Sequence, residues 1–264
     1  MAIGILTGSG TYALPGFEGS GPEPVDTRWG EALVSRGTWA GVDVLHISRH
    51  GAGHVRLSNH VTHRANIAAF GELGATAVLA VTVCGAVDPS AALGSLVCFD
   101  DLHFVSNRLP DGELCTFFVS PGAPERGHWI YEGPFSAGLR AALLAGAADA
   151  GVVVRDGGCY GHVDGPRFNT RAEIRGLAAC GVTAVSQTAG PETVLCGEAE
   201  LPYALLGYLT DYANGVKDEP TPVETLIEMM GASTDAFARV LQAALPRAAA
   251  AAPASPGVVY RFDS

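Results

Sequence analysis

Three apolar runs of the chain each stop at a cluster of small, polar or cationic residues: Gly8-Ser9-Gly10, Arg49-His50-Gly51 and Thr82-Val83-Cys84-Gly85. Glycine lets backbone N–H groups approach an anion closely, Ser9 and Thr82 bring hydroxyl donors, and Arg49 adds a bidentate charged fork. Taken singly these are ordinary strand ends. Their coincidence at three strands describes an anion cradle. Arg49 is the sharpest member, because a guanidinium closing an apolar strand must find a partner or reach water. His50 and His54 read equally as pocket donors or as loop histidines satisfied locally.

Three later stretches carry further groups. In the run from His162 to Glu173, Gly165-Pro166 forces a turn, Asn169 or Thr170 can cap the helix that follows, and Phe168 reads either as a core plug or as a surface on which a planar ring could stack. Arg167 and Glu173 there suit a local structural pair. In Ser186-Gln187-Thr188-Ala189-Gly190-Pro191-Glu192, a strand end meets a proline at an early helical position. Thr188 is then either an N-cap or one more anion donor at a helix N-terminus, and Glu192 suits the macrodipole with or without a chemical role. The last is Leu209-Thr210-Asp211-Tyr212-Ala213-Asn214, where Asp211 either caps a turn or faces a cleft as a proton donor.

The elements that must position these groups alternate. Short apolar runs at 3–7, 42–48, 76–83, 96–99 and 203–209 predict buried strands, and helical spacing over 61–73, 135–150, 171–180, 191–200 and 223–245 predicts helices between them. Such alternation predicts an α/β fold with a mixed central sheet flanked by helices, whose ligands sit at the C-terminal ends of strands. One domain over 1–246 is expected, followed by an Ala/Pro-biased segment at 247–264, with the stretch from 246 to 257 fraying.

Composition narrows the class. Of 264 residues 48% are hydrophobic and 16% charged, with mean hydropathy +0.23, so a large core is within reach and disorder is excluded. No apolar run approaches the roughly 18 residues of a membrane span, and the opening MAIGILTGSG has no basic n-region. A cytoplasmic protein without membrane partners is expected. The net charge of -11 without a basic cluster argues against a nucleic-acid partner, which needs a positive face. Six scattered cysteines form no pattern with metal spacing and read as reduced thiols; no metal site is expected.

In order along the chain, GILTGSG, SRHGAGH, RANIAAF, TVCGAV, DGPRFNTRAE, TAGPETVLCGE and LTDY resemble the purine-nucleoside phosphorylase superfamily, specifically its 5′-methylthioadenosine phosphorylase branch, from about Ile3 to Leu245. The resemblance implies phosphorolysis of a purine nucleoside with inorganic phosphate as co-substrate and no cofactor. It implies that Ser9, Arg49, His50, Thr82 and Thr188 hold phosphate with backbone help at Val83. Phe168, Asp211 and Ala213 would lie at the purine, with Asp211 reading the base and, when protonated, donating toward N7. Gln187, His54 and His128 would lie at the ribose or its 5′ substituent. His128 occupies a position that reaches a neighbouring subunit's site in this family, which implies a homotrimer.

The chain departs from the family pattern at several positions. Thr62-His63 stands where Asn-Tyr is usual, Gln187 where Met lies under the ribose, Asp164 where Glu precedes Gly-Pro-Arg-Phe, and Ala213 where adenine-selective members place a second acid. Gln187 could bond the sugar hydroxyls or signal a changed sugar or 5′ group. The alternatives are a phosphorylase for 6-oxopurine nucleosides (inosine, guanosine, methylthioinosine) or for another 5′-substituted adenosine, a hydrolytic nucleosidase, and an inactive nucleoside-binding homologue.

Overall fold

The protein is described by a computed structural model covering residues 2–262. Its strands are β1 (Ala2–Thr7), β2 (Glu18–Gly19), β3 (Glu23–Thr27), β4 (Gly30–Trp39), β5 (Val42–Ser48), β6 (Ala75–Ala86), β7 (Leu96–Cys98), β8 (Asp101–His103), β9 (Gly127–Ile130), β10 (Val154–Asp156), β11 (Cys159–His162), β12 (Val182–Ser186), β13 (Tyr203–Tyr212) and β14 (Val258–Arg261). The helices are α1 (His63–Glu72), α2 (Ala137–Asp149), α3 (Arg171–Ala179), α4 (Ala189–Glu198) and α5 (Val223–Ala251). Together they form the expected α/β fold around one mixed sheet.

The sheet runs β10-β7-β13-β6-β1-β5-β4-β2, with β6 parallel to both β1 and β13. Alternate side chains of the central strands serve opposite faces. Ile3 and Ile5 of β1, with Ala77, Leu79 and Val81 of β6, pack against Leu143 of α2 and Leu241 of α5. Leu6, Val78 and Ala80 pack against Phe70 of α1 and Leu195 of α4. Burial on both faces is why these strands read as unbroken apolar runs. At Gly146 of α2 an added Cβ would lie 2.6 Å from the Ala244 backbone nitrogen, so these two helices approach almost backbone to backbone.

β6 is long enough to pair with three strands of the sheet. β1 pairs with it over residues 75–80 and β13 over residues 78–86, while Gly85 and Ala86 also pair antiparallel with Val185 and Ala184 of β12. The C-terminal ends of β1, β6, β12 and β13 therefore converge on one region. β13 carries a bulge there: Leu209 faces Cys84 and Asp211 faces Gly85, leaving Thr210 as the extra residue.

The C-terminal stretch differs from the expectation. Residues 246–251, expected to fray, continue α5 through Pro246, because a run of alanines favours helix and Leu245 and Ala248 are fully buried against the sheet. Beyond it, β14 pairs antiparallel with β9. Among the described residues no helix is long and apolar enough to cross a membrane.

Candidate active site

Arg49 follows β5 directly and is almost wholly buried. Its Nε donates to Glu192 Oε1 at 2.6 Å, Nη2 to Oε2 at 2.9 Å, and Nη1 to the Val81 carbonyl at 2.8 Å. Tyr203 donates its hydroxyl to the same carboxylate at 3.1 Å. The guanidinium expected to face an anion thus forks onto an acid in the first turn of α4 and does not line the cavity described next. Its position is nevertheless under the cradle: a Cβ added to Gly8 would meet Nη1 at 2.6 Å. Burial, aided by His162 and Arg49, keeps His63 neutral, with Nδ1 3.9 Å from Glu192.

Above this pair opens a cavity of about 320 Å³, within the size range of small-molecule sites. Gly8, Ser9, His50, Thr82, Val83, Ser186 and Thr188 line it from the strand ends. The Thr82 hydroxyl lies 3.3 Å from that of Ser186. Thr188 is the N-cap residue of α4 by position, yet its side chain makes no capping bond. The first N–H groups of α4 are occupied instead: Thr188 and Ala189 donate to the Tyr160 hydroxyl, and Gly190 donates to His162 Nδ1. The Thr188 hydroxyl, which makes no capping bond, lines the cavity at this helix end.

His50 stacks on His54 with ring centroids 4.2 Å apart, and both line the cavity. His50 Nδ1 lies 2.8 Å from the Arg56 carbonyl, which can only accept, so Nδ1 carries the proton and Nε2 keeps its lone pair. Burial first, and Arg49 second, lower the His50 pKa to about 4. The ring is neutral at physiological pH.

At the other side of the cavity Asp211 stands over Gly85, where an added Cβ would be 3.3 Å from Oδ2. Burial raises its pKa, against an opposing hydrogen bond from Thr210 Oγ1 at 2.8 Å. Ala213 and Asn214 line the same part, and Asn214 donates to the Asn169 carbonyl at 2.7 Å. Phe168 is 63% exposed and lines the cavity, so it is not a core plug. Its loop is held by Thr170, which caps α3 in a capping box with Glu173, and by the fork of Arg167 on Glu173. Gln187 lines the cavity between these two sides.

His128 lies apart, on β9, edge-on to Phe262 at 5.5 Å. Several lining residues carried no signal in the sequence: Leu57 and Ser58 from the turn before α1, and Leu226 and Met230 from the start of α5. Ser186 could have been found, since it ends an apolar run beside Gln187. Among the described residues no group of three or more His, Cys, Asp or Glu is placed to hold a metal ion.

The strand ends of this mixed α/β sheet thus enclose hydroxyl donors, a neutral histidine and a half-buried acid, and over residues 2–246 the chain belongs to the Phosphorylase superfamily. It is 34% identical over 251 residues to the S-methyl-5′-thioadenosine phosphorylase of Cereibacter sphaeroides, covering 92% of this chain and 82% of that protein. It is 30% identical over 248 residues to the 6-oxopurine nucleoside phosphorylase of Pyrococcus furiosus, covering 92% of each. Among solved structures, methylthioadenosine phosphorylase from Schistosoma mansoni in complex with adenine superposes with a TM-score of 0.86 at 26% identity, over 94% of this chain and 92% of that one.

Proposed function

We propose that this enzyme cleaves a purine nucleoside with inorganic phosphate, and that its substrate is 5′-methylthioadenosine, giving adenine and 5-methylthioribose 1-phosphate. The observation that carries the reading is Asp211, a half-buried acid with a raised pKa facing the same cavity as the strand-end donors. A carboxyl whose pKa is raised takes up a proton more readily, and in that form it can donate to N7 as the glycosidic bond lengthens and electron density moves onto the purine. Its ionised form accepts from an exocyclic amine. Phe168 offers the stacking surface, with Ala213 at the base edge.

Phosphate is assigned to Ser9, Thr82, Thr188 and the backbone near Val83, with Arg49 supporting the Gly8-Ser9 turn from beneath. His50, neutral and protonated on Nδ1, offers Nε2 to the hydroxyl of a monoprotonated phosphate. The nucleophilic oxygen attacks C1′, and the adjacent anion stabilises the oxocarbenium-like sugar. Leu57, Leu226 and Met230 give the cavity an apolar part suited to a thioether substituent. Gln187 and His54 are assigned to the sugar and its 5′ group. The reaction so written requires no metal or organic cofactor. The reading extends to a role in purine salvage and to a cytoplasmic homotrimer in which His128, outside its own chain's cavity, serves a neighbour.

Ala213 favours a second reading, phosphorolysis of 6-oxopurine nucleosides, since it leaves the base edge with one acid. Product analysis decides between them. Adenine and a pentose 1-phosphate formed fastest from methylthioadenosine support the first reading; hypoxanthine formed fastest from inosine or methylthioinosine replaces it with the second.

A further inference from the structure

Gln187 joins three segments at the cavity. Its Oε1 accepts from Ser58 Oγ at 2.8 Å, on the turn before α1, and its Nε2 donates to the Arg167 carbonyl at 3.1 Å, on the loop that carries Phe168. The carbonyl partner fixes which end of the amide is nitrogen. Gly165 packs against this bridge so closely that an added Cβ would lie 2.1 Å from Oε1 and 2.2 Å from Ser58 Oγ. The amide is therefore held in place from two sides.

A glutamine amide has two N–H donors and two carbonyl lone pairs. The bridge uses one of each. One N–H and one lone pair remain on a side chain that lines the cavity. A group that both donates and accepts satisfies that remainder, and a hydroxyl does so where a thioether or a methylene cannot. The purine edge is met elsewhere, by Asp211.

We propose that Gln187 is a specificity residue whose bridged amide binds a hydroxyl of the sugar ring and makes the site prefer ribonucleosides over their 2′-deoxy or 3′-deoxy counterparts. This rests on the nucleoside reading of the cavity. Replacing a neutral hydrogen bond by an unmatched polar group costs about tenfold in affinity. Ser58 is a positioning residue that acts through the amide.

Calorimetric binding, without phosphate, of adenosine, 2′-deoxyadenosine and 3′-deoxyadenosine, and of the matching inosine series, tests this independently of turnover. The wild-type protein is expected to bind the ribonucleoside about tenfold more tightly than one of the deoxy forms. Gln187→Met, of similar length but without the amide, should bring that ratio close to one by weakening the ribonucleoside alone, and Ser58→Ala should lower it partway. Equal affinity of the wild-type protein for all three sugars overturns the proposal without recourse to any variant, as does an unchanged ratio in Gln187→Met. Binding of no nucleoside at all would contradict the underlying reading and the proposal together, whereas sugar-blind binding contradicts the proposal only.

Discussion

At the scale of single residues the account turns on Asp211. Burial holds its carboxyl above the ordinary carboxylate range despite the Thr210 hydrogen bond. A folded-state pKa above the unfolded one means that the native state binds more protons in that interval. Stability therefore falls as pH rises through it, and the loss is complete above the folded pKa. Asp211→Asn removes the titrating group and keeps its shape. It is expected to raise the thermal midpoint near about pH 7 and to change it little below about pH 4. The same substitution should lower kcat/KM for 6-aminopurine nucleosides by about 10²–10⁴-fold, the usual contribution of a positioned acid, and shift preference toward 6-oxopurines. Thermal melts across pH and kinetics on both base series measure the two effects. Unaltered base preference would remove Asp211 from base recognition.

At the scale of elements, Arg49 at the end of β5 and Glu192 in the first turn of α4 tie two strand-to-helix units together under the cradle. Arg49→Ala leaves a carboxylate buried without its partner and is expected to cost about 3–5 kcal/mol in denaturant unfolding. Arg49→Met combined with Glu192→Leu removes both charges and should recover most of that loss. Its phosphate KM should stay raised, since the Gly8-Ser9 turn has lost its support; a wild-type KM in the double variant would confine Arg49 to stability. The sequence showed that this guanidinium needs a partner, but Glu192 lies 143 residues away and no local spacing could supply it. The five helices were legible from their helical spacing, and the central strands because burial on both faces leaves continuous apolar runs. β4 was not, because the exposed Glu31 and Arg36 break the run around the buried Ala32 and Val34. The strand-end donors were legible as compact clusters. Leu57, Leu226 and Met230 were not, since apolar residues acquire a role in the cavity only through tertiary packing.

At the scale of the whole molecule, a chain of net charge -11 must attract an anion by local donors rather than by its overall field, and pairing Arg49 with Glu192 makes this stricter. The C-terminal part is built into the structure: Trp129 Nε1 donates to the Pro256 carbonyl at 2.8 Å, and its indole fills the space above Gly197 of α4. Ending the chain at Ala252 removes β14 and this acceptor. A lower thermal midpoint and a red-shifted Trp129 emission are expected, against unchanged values if the segment merely frays. The central claim concerns chemistry at the strand ends, and it is tested most directly by purine release from methylthioadenosine, adenosine, inosine and guanosine, each with and without inorganic phosphate. The account predicts release that requires phosphate and is fastest from methylthioadenosine. Equal release in its absence would mean that water is the nucleophile and would contradict the phosphate cradle.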